Sequence, residues 1–289
     1  MNGPRGELWK IVASMTATCA IGAAILGGVY VGTERYAEEA RMRGERRAVT
    51  ELLGLDDGAR VIEVGQYLTG ARDAVVYRVP AADGAAGREL VFALDGALVR
   101  DGALADAAAA EVALRAYHPL GRLFIATRDG AAAGFVAEGE SRGYKNRIRF
   151  FVALDAGWRI AGVRVVEHEE DPGLGAEVAT GWFQGQYVGR ELASVPALDV
   201  TRDPMPEDWR AALRARAGAK AGAGGDGDGS RIDALRAREG SKPIYAVTGA
   251  TISSRALTDG VRATILHFRR RWDLIGPRLL PSNAAEVAR

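Results

Sequence analysis

The stretch RIRFFVALDAGWRIAGVRVV, residues 147–166, indicates most clearly how this chain folds. One face of its first half carries four apolar residues: Ile148, Phe150, Val152 and Leu154. That period of two is typical of a half-buried antiparallel strand. A short turn, DAG at 155–157, follows, and WRIAGVRVV at 158–166 has the composition of a returning strand. The segment is therefore predicted to form a β-hairpin of an antiparallel sheet.

Other segments extend this pattern in both directions along the chain. Two runs, DAVVYRVP at 73–80 and RELVFALDG at 88–96, are predicted strands, and 104–116 is a predicted helix. A second, amphipathic helix is predicted from Arg255 onward by four apolar residues at three- and four-residue steps: Leu257, Val261, Ile265 and Phe268. Antiparallel strands with helices packed against them predict an α+β fold.

The N-terminal region has the features of a membrane anchor. No charged residue occurs in the 21 positions from Ile11 to Val31, and a helix of about 20 residues crosses the hydrocarbon core of a bilayer. A cleaved signal peptide is the alternative, but the apolar run is longer than a signal core and no A-x-A site closes it. Five arginines follow the span: Arg35, Arg41, Arg43, Arg46 and Arg47. By the positive-inside rule alone they would keep the rest of the chain in the cytoplasm.

Composition excludes several classes of function. The net charge is +1 with 26% charged residues, which gives no indication of a nucleic-acid partner. The chain has three histidines and a single cysteine, Cys19, so a disulfide framework and a thiolate metal cluster are excluded. A redox role would therefore require an organic cofactor.

The stretch AVTGATISSRA, residues 246–256, precedes the amphipathic helix and allows two interpretations. A helix beginning near Ser254 would need an N-cap, which Ser253 or Ser254 can supply. Capping does not require Thr248, Gly249 and Thr251 as well. A glycine permits close approach of a ligand, and a helix N-terminus attracts phosphate. Arg255 could add a charge-assisted contact.

A second stretch, EHEEDPGLGAE at 167–177, follows the predicted hairpin. Its Asp-Pro-Gly-Leu-Gly run, residues 171–175, predicts a tight turn with flexible backbone positions. His168 beside several acids raises the possibility of a metal site, but the spacings of zinc and calcium sites are missing. No metal site is predicted, and an ordinary solvated face is the alternative to a functional loop.

Together the two stretches resemble a known family. VTGATISSRA resembles the [ST]GAT-x-[ST]S motif, and EEDPGLG the E-T-P-G-L-G motif, of flavin-binding subunits in ion-pumping membrane redox complexes. The similarity is greatest to the G subunit of the Rnf (also called Rsx) electron transport complex. The C subunit of the sodium-translocating NADH:quinone oxidoreductase is the alternative within the same superfamily. The resemblance covers most of the chain apart from 214–230 and the C-terminal tail.

The resemblance implies a covalent cofactor. In that family FMN is joined through its phosphate to the last threonine of the GAT motif, which is Thr251 here, by a separate flavin transferase. The implied FMN-binding residues are Thr248, Gly249, Ala250, Thr251, Ser253, Ser254, Arg255, Glu170, Pro172, Gly173, Leu174 and Gly175. Two positions depart from the family pattern, which usually has threonine at Asp171 and aspartate at Tyr245.

The resemblance also implies a function, which is an electron carrier rather than a complete enzyme. Its partners would be the membrane, iron–sulfur and flavin subunits of a complex that moves electrons between ferredoxin or flavodoxin and NAD while translocating ions. The chain would be a single-pass protein of the cell inner membrane, held in lipid, with its flavin domain on the periplasmic side. A flavin-free membrane-anchored scaffold is the alternative from another class.

The expected organisation divides the chain into five parts. They are an N-terminal tail (1–10), a transmembrane helix (11–32), a charged juxtamembrane helix (33–56), an α+β FMN-binding domain (57–276) with a flexible insert (214–230), and a C-terminal tail (277–289). The insert is expected to be solvated because its small and polar residues show no apolar period.

Overall fold

The structure, a computed structural model, describes residues 4–55, 59–80, 87–104, 115–128, 131–218 and 226–280. The chain divides into two compact units, Met1–Ala48 and Val49–Arg289. Helix α1 runs without interruption over Pro4–Leu53. Among the described residues, Val12–Glu34 is the one stretch that is long and apolar enough to cross a membrane. The predicted anchor and the charged helix after it are thus parts of a single helix. Residues 4–10, expected as a tail, belong to its first turns.

The second unit is built on an eight-stranded antiparallel sheet. Its strands are β1 (Arg60–Leu68), β2 (Ala74–Val79), β3 (Arg88–Ala93), β4 (Leu98–Ala103), β5 (His118–Arg128), β6 (Ala131–Arg142), β7 (Arg147–Asp155) and β8 (Ile160–His168). They lie in the order β4-β3-β2-β1-β5-β6-β7-β8. The α+β class and the predicted strands at 73–80 and 88–96 are confirmed.

The predicted hairpin is β7–β8, which pairs Ile148 with His168 and Leu154 with Ile160. Its second strand begins at Ile160 rather than at Trp158. Trp158 has a left-handed backbone (φ 64°), and its N–H donates to the Asp155 carbonyl over 3.0 Å. The turn therefore takes two residues that the sequence pattern assigned to the strand.

In the described part of the chain, four α-helices follow the sheet: α2 (Gly181–Gln184), α3 (Glu207–Gly218), α4 (Asp226–Glu239) and α5 (Thr251–Leu279). Short 3₁₀ helices cover Gly175–Ala179, Gly185–Tyr187 and Leu192–Ala197, and β9 (Val200–Thr201) pairs in parallel with β10 (Ile244–Tyr245). The amphipathic helix is confirmed as α5, which buries its four predicted apolar residues. Near its C-terminal end Trp272 packs on Phe135 of β6, with ring centroids 4.5 Å apart.

Two expectations about irregular segments differ from the structure, and a third falls mostly on residues that the structure does not describe. Residues 214–218 end α3 and 226–230 begin α4, while 219–225 lie outside the described residues. The two helices form because they bury an apolar cluster on either side of the segment: Trp209, Leu213, Ile232 and Leu235. Helix α5 continues past Pro277 to Leu279, and Leu280 is buried. Most of the helix predicted at 104–116 lies outside the described residues.

Candidate functional site

The two sequence motifs meet in the structure. Ser253, in the first turn of α5, donates its hydroxyl hydrogen to the carboxylate of Glu170, which lies 83 residues earlier. Glu170 is only 5% exposed, and it also accepts a hydrogen bond from the Lys145 N–H over 2.9 Å. Beside this contact, a β-carbon placed on Gly249 would lie 3.1 Å from Leu174 Cδ2. The loop after β8 is therefore packed directly against the start of α5.

The hydrogen bonds around Glu170 determine its charge. Burial acts to raise the pKa of Glu170. Hydrogen bonds from Ser253 and from the backbone N–H groups of Lys145, Tyr144 and Asn146 outweigh burial and hold the pKa below its ordinary value. Glu170 is therefore an ionised, buried carboxylate that joins the β6–β7 turn to α5. It is not among the residues that line the cleft described below, and it acts as a positioning residue.

Glycine is needed at three positions of the two motifs. Gly249 (φ 80°) and Gly173 (φ 74°) both have left-handed backbones, which a side chain would strain. Gly175 is restricted by space instead, because a β-carbon there would lie 2.5 Å from Glu170 Oε2. Gly249 and Gly175 therefore allow the close approach of the two motifs, and Gly173 allows the turn before Gly175.

Helix α5 begins three residues earlier than the sequence predicted. Thr251 is its first residue, and Ala250 precedes it without a side-chain cap. The prediction that Ser253 or Ser254 is the N-cap is therefore wrong. Ser254 is fully buried, accepts a hydrogen bond from the Val247 N–H (3.0 Å) and donates to the Ala250 carbonyl (2.9 Å). Both serines stabilise the approach to the helix from inside its first turn.

The first amides of α5 have no acceptor within the helix itself. Ser254 N–H donates to the Ala250 carbonyl over 3.0 Å. The N–H groups of Thr251, Ile252 and Ser253 precede this bond, at the positions where a helix has no acceptor of its own. With the helix dipole they place partial positive charge beside Thr251.

A cleft of about 510 Å³ opens at this point. Its lining comprises Glu177, Trp182, Arg202, Asp203, Pro204, Met205, Arg210, Arg214, Ala246, Val247, Thr248, Gly249 and Thr251. The volume is in the range of small-molecule and cofactor sites, about 300–1,000 Å³. An aromatic ring, three guanidinium groups and two threonines suit a ligand that has a flat apolar part and an anionic part.

The structure separates the predicted site residues into three groups. Thr248, Gly249 and Thr251 line the cleft. Ala250, Ser253, Ser254, Glu170 and Gly175 are buried behind it. Pro172, Gly173, Leu174 and Arg255 are exposed and are not among the residues that line the cleft.

Sequence reasoning missed the other side of the cleft, which includes Trp182, Arg202 and two arginines of α3. Arg210 and Arg214 are four residues apart, so they lie on one face of that helix. This spacing was the available signal, but an arginine pair on a polar helix usually indicates no more than a solvated face.

The two departures from the family motifs have structural roles. Lys145 Nζ donates to Asp171 Oδ1 over 2.6 Å, in an ion pair that is partly open to solvent. Tyr245 is buried and its hydroxyl donates to Glu239 Oε2 over 2.8 Å. Burial first, and then the neighbouring Glu239 carboxylate, raise the pKa of Tyr245 to about 12. Neither side chain lines the cleft, so both act on the surrounding framework.

Comparison with known proteins relates this site to flavin. Residues 143–266 match the FMN-binding domain family, and that range contains both motifs and every residue that lines the cleft. The chain is also homologous to the G subunits of ion-translocating oxidoreductase complexes. It is 30% identical over 165 residues to the G subunit of the ion-translocating oxidoreductase complex of Cereibacter sphaeroides, covering 56% of this chain and 59% of the relative.

A second relative is the G subunit of the Na(+)-translocating ferredoxin:NAD(+) oxidoreductase complex of Acetobacterium woodii, 25% identical over 54% of this chain and 59% of the relative. The G subunit of the proton-translocating ferredoxin:NAD(+) oxidoreductase complex of Clostridium ljungdahlii is 26% identical, over 49% of this chain and 57% of the relative. The chain thus spans less than two thirds of the curated relatives it matches. Among solved structures, Shewanella oneidensis NqrC superposes with a TM-score of 0.45 and 14% identity, over 78% of this chain and 93% of that chain.

Proposed function

We propose that this homologue of the G subunits holds FMN in the cleft beside Thr251 and transfers electrons through it as part of a membrane-bound, ion-translocating complex. The observation that carries the proposal is the position of Thr251, which lines the cleft at the N-terminus of α5 within the matched FMN-binding region. Bound FMN would supply the redox chemistry, and the protein would set its position and electrostatic environment.

The cleft residues fit both ends of this cofactor. The first-turn amides of α5 suit the phosphate, and Gly249 lets the backbone approach it closely. Trp182 supplies an aromatic surface for the isoalloxazine ring, and its Nε1 is oriented by a 3.3 Å hydrogen bond to Glu177 Oε2. The arginines of the cleft add positive charge for an anionic ligand.

Covalent attachment through a phosphoester to Thr251 is part of the proposal. Four hydroxyl groups surround the start of α5. Ser253 and Ser254 are buried and donate to Glu170 and to the Ala250 carbonyl, so neither faces an incoming phosphate. Thr248 and Thr251 both line the cleft, but only Thr251 belongs to the helix whose amides would receive the phosphate. A separate flavin transferase would make the bond, as the family resemblance implies.

The test is the visible spectrum of the full chain purified after co-expression with a flavin transferase. We expect flavin absorbance that remains with the polypeptide after denaturation, at close to one flavin per chain. A colourless, folded protein would contradict the proposal and would favour the flavin-free scaffold. Release of the flavin on denaturation would support FMN binding but would refute covalent attachment.

The proposed partners are the membrane, iron–sulfur and flavin subunits of an Rnf-type complex, together with lipid around Val12–Glu34. We further propose that the chain is a single-pass protein of the inner membrane. The flavin domain would then lie on the periplasmic side, as the family resemblance implies, although the arginines after the span favour the opposite orientation.

This orientation predicts the behaviour of reporter fusions. Alkaline phosphatase joined after Arg289 should be active, because that enzyme requires an oxidising, extracytoplasmic compartment for its disulfides. The matched control is the same reporter joined before Met1, which should be inactive. Activity of only the N-terminal fusion would place the domain in the cytoplasm.

A further inference from the structure

We infer that Arg202, Arg210 and Arg214 raise the redox potential of the flavin held beside Thr251. These three residues, here called the arginine wall, line the same cleft as Thr251 and are supplied by two separate elements. Arg202 follows β9, and the other two lie on one face of α3. The inference rests on the proposed function, because it concerns the cofactor proposed for that cleft.

The charge of the arginine wall is available to a ligand. Within the part of the chain that the structure describes, Arg202 and Arg214 form no ion pair. Arg210 has only a long contact, 3.9 Å, to Glu207, whose side chain is 82% exposed. Guanidinium groups in this state can turn toward an anion in the cleft without breaking a strong internal pair.

The two acids of the cleft are each held by a neighbouring group. Glu177 accepts the Trp182 indole N–H, and Asp203 accepts the Thr201 hydroxyl over 2.6 Å. These contacts orient the carboxylates toward their own loops. The lining therefore carries three positive and two negative side chains, and the first-turn amides of α5 add further partial positive charge.

This positive surplus favours the reduced flavin over the oxidised flavin. Each electron accepted from a one-electron donor adds one negative charge to the ring system unless a proton follows, while the phosphodiester charge is the same in both states. A phosphodiester at the amides of α5 leaves the arginine wall free to interact with the ring. Positive charge beside the ring therefore stabilises the added electron and makes the potential more positive. Because Arg202 and Arg214 are exposed, dissolved salt should screen part of the effect.

The test compares charge removal with charge conservation in the full chain carrying covalent flavin. The triple variant Arg202→Gln, Arg210→Gln, Arg214→Gln should have a more negative midpoint potential in spectroelectrochemical titration. The matching triple lysine variant should stay close to wild type. Arg216→Gln is the control on the same helix, since Arg216 is exposed and does not line the cleft. The single variant Arg214→Gln should show a smaller shift of the midpoint potential in the same direction. It keeps the inference testable if the triple variant does not fold.

Salt dependence provides a second measurement that a purely structural role would not change. Raising the ionic strength should lower the wild-type potential and have less effect on the triple glutamine variant. An unchanged potential at low salt in the glutamine variants with full flavin content would overturn the inference. Loss of flavin attachment with no change in the midpoint potential of the remaining flavin would also overturn the inference, because the arginines would then contribute to flavin binding and not to its potential. Wild-type protein without flavin would instead refute the proposed function itself.

Discussion

Thr251→Val is expected to abolish covalent flavin attachment while the fold is retained. Valine keeps the shape and the β-branching of threonine but removes the oxygen that would form the phosphoester. The position is the first residue of α5 and is half-buried, and its hydroxyl forms no hydrogen bond with the residues that the structure describes, so none supports the helix, which has no side-chain cap. After co-expression with the transferase, the variant should give no fluorescent band on a denaturing gel, whereas wild type should fluoresce strongly.

Two variants serve as controls for this loss. Thr248→Val removes a hydroxyl from the same cleft, and its band should persist. Ser253→Ala removes the hydrogen bond to Glu170 but leaves the acceptor oxygen in place, so its band should persist at reduced intensity. A fluorescent Thr251→Val protein, with the flavin mapped by peptide mass to another residue, would disprove the assignment.

Glu170→Ala is expected to destabilise the second unit by about 3 kcal/mol, the upper range for hydrogen bonds to a charged group. Glu170 is buried and joins the Lys145 N–H to the Ser253 hydroxyl. Its removal leaves the buried Ser253 hydroxyl and the part-buried Lys145 N–H without this acceptor. The free energy of unfolding, measured by chemical denaturation in detergent, should fall accordingly. Flavin attachment should also decrease, because the loop and the start of α5 lose their connection.

The matched control is Glu167→Ala, three residues earlier. Glu167 is 58% exposed and pairs with Arg149 at the surface. An exposed ion pair contributes less than about 1 kcal/mol, so this variant should unfold almost as wild type does. Equal destabilisation by both variants would show that Glu170 has no special role.

The pH dependence of stability gives an independent measure of the Glu170 contacts. The pKa of Glu170 in the folded protein is lowered, so the unfolded chain takes up its proton first as the pH falls. Its contribution is present above the unfolded pKa, about 4.3, and is lost as the pH falls toward the lower folded value. Wild type should lose stability in that acid range more steeply than Glu170→Ala. Parallel curves for the two proteins would contradict the assignment.

Much of this protein follows from local sequence. An uncharged run from Ile11 to Val31, alternation at 147–154 and a helical period after Arg255 each concern neighbours a few residues apart, and all three elements are confirmed. The order and spacing of the two motifs likewise indicated a resemblance to flavin-binding subunits, and residues 143–266 match the FMN-binding domain family. Strand β6 was not predicted because its sequence, AAAGFVAEGESR, is rich in alanine and glycine and shows little alternation of apolar and polar residues.

The composition of the cleft depends instead on contacts between distant parts of the chain. Three features arise when the loop after β8 packs on α5: the helix start at Thr251, the burial of both serines and the hydrogen bond between Ser253 and Glu170. Capping preferences described the isolated helix, whereas in the folded protein the Ser253 hydroxyl donates to Glu170, which lies 83 residues earlier in the chain. The arginine wall has the same origin. Arg210 and Arg214 form an ordinary polar helix face until folding brings α3 to the cleft that Thr251 lines. Periodicity thus determined the elements, and long-range packing decided which side chains line the cleft, because only packing brings distant groups into contact.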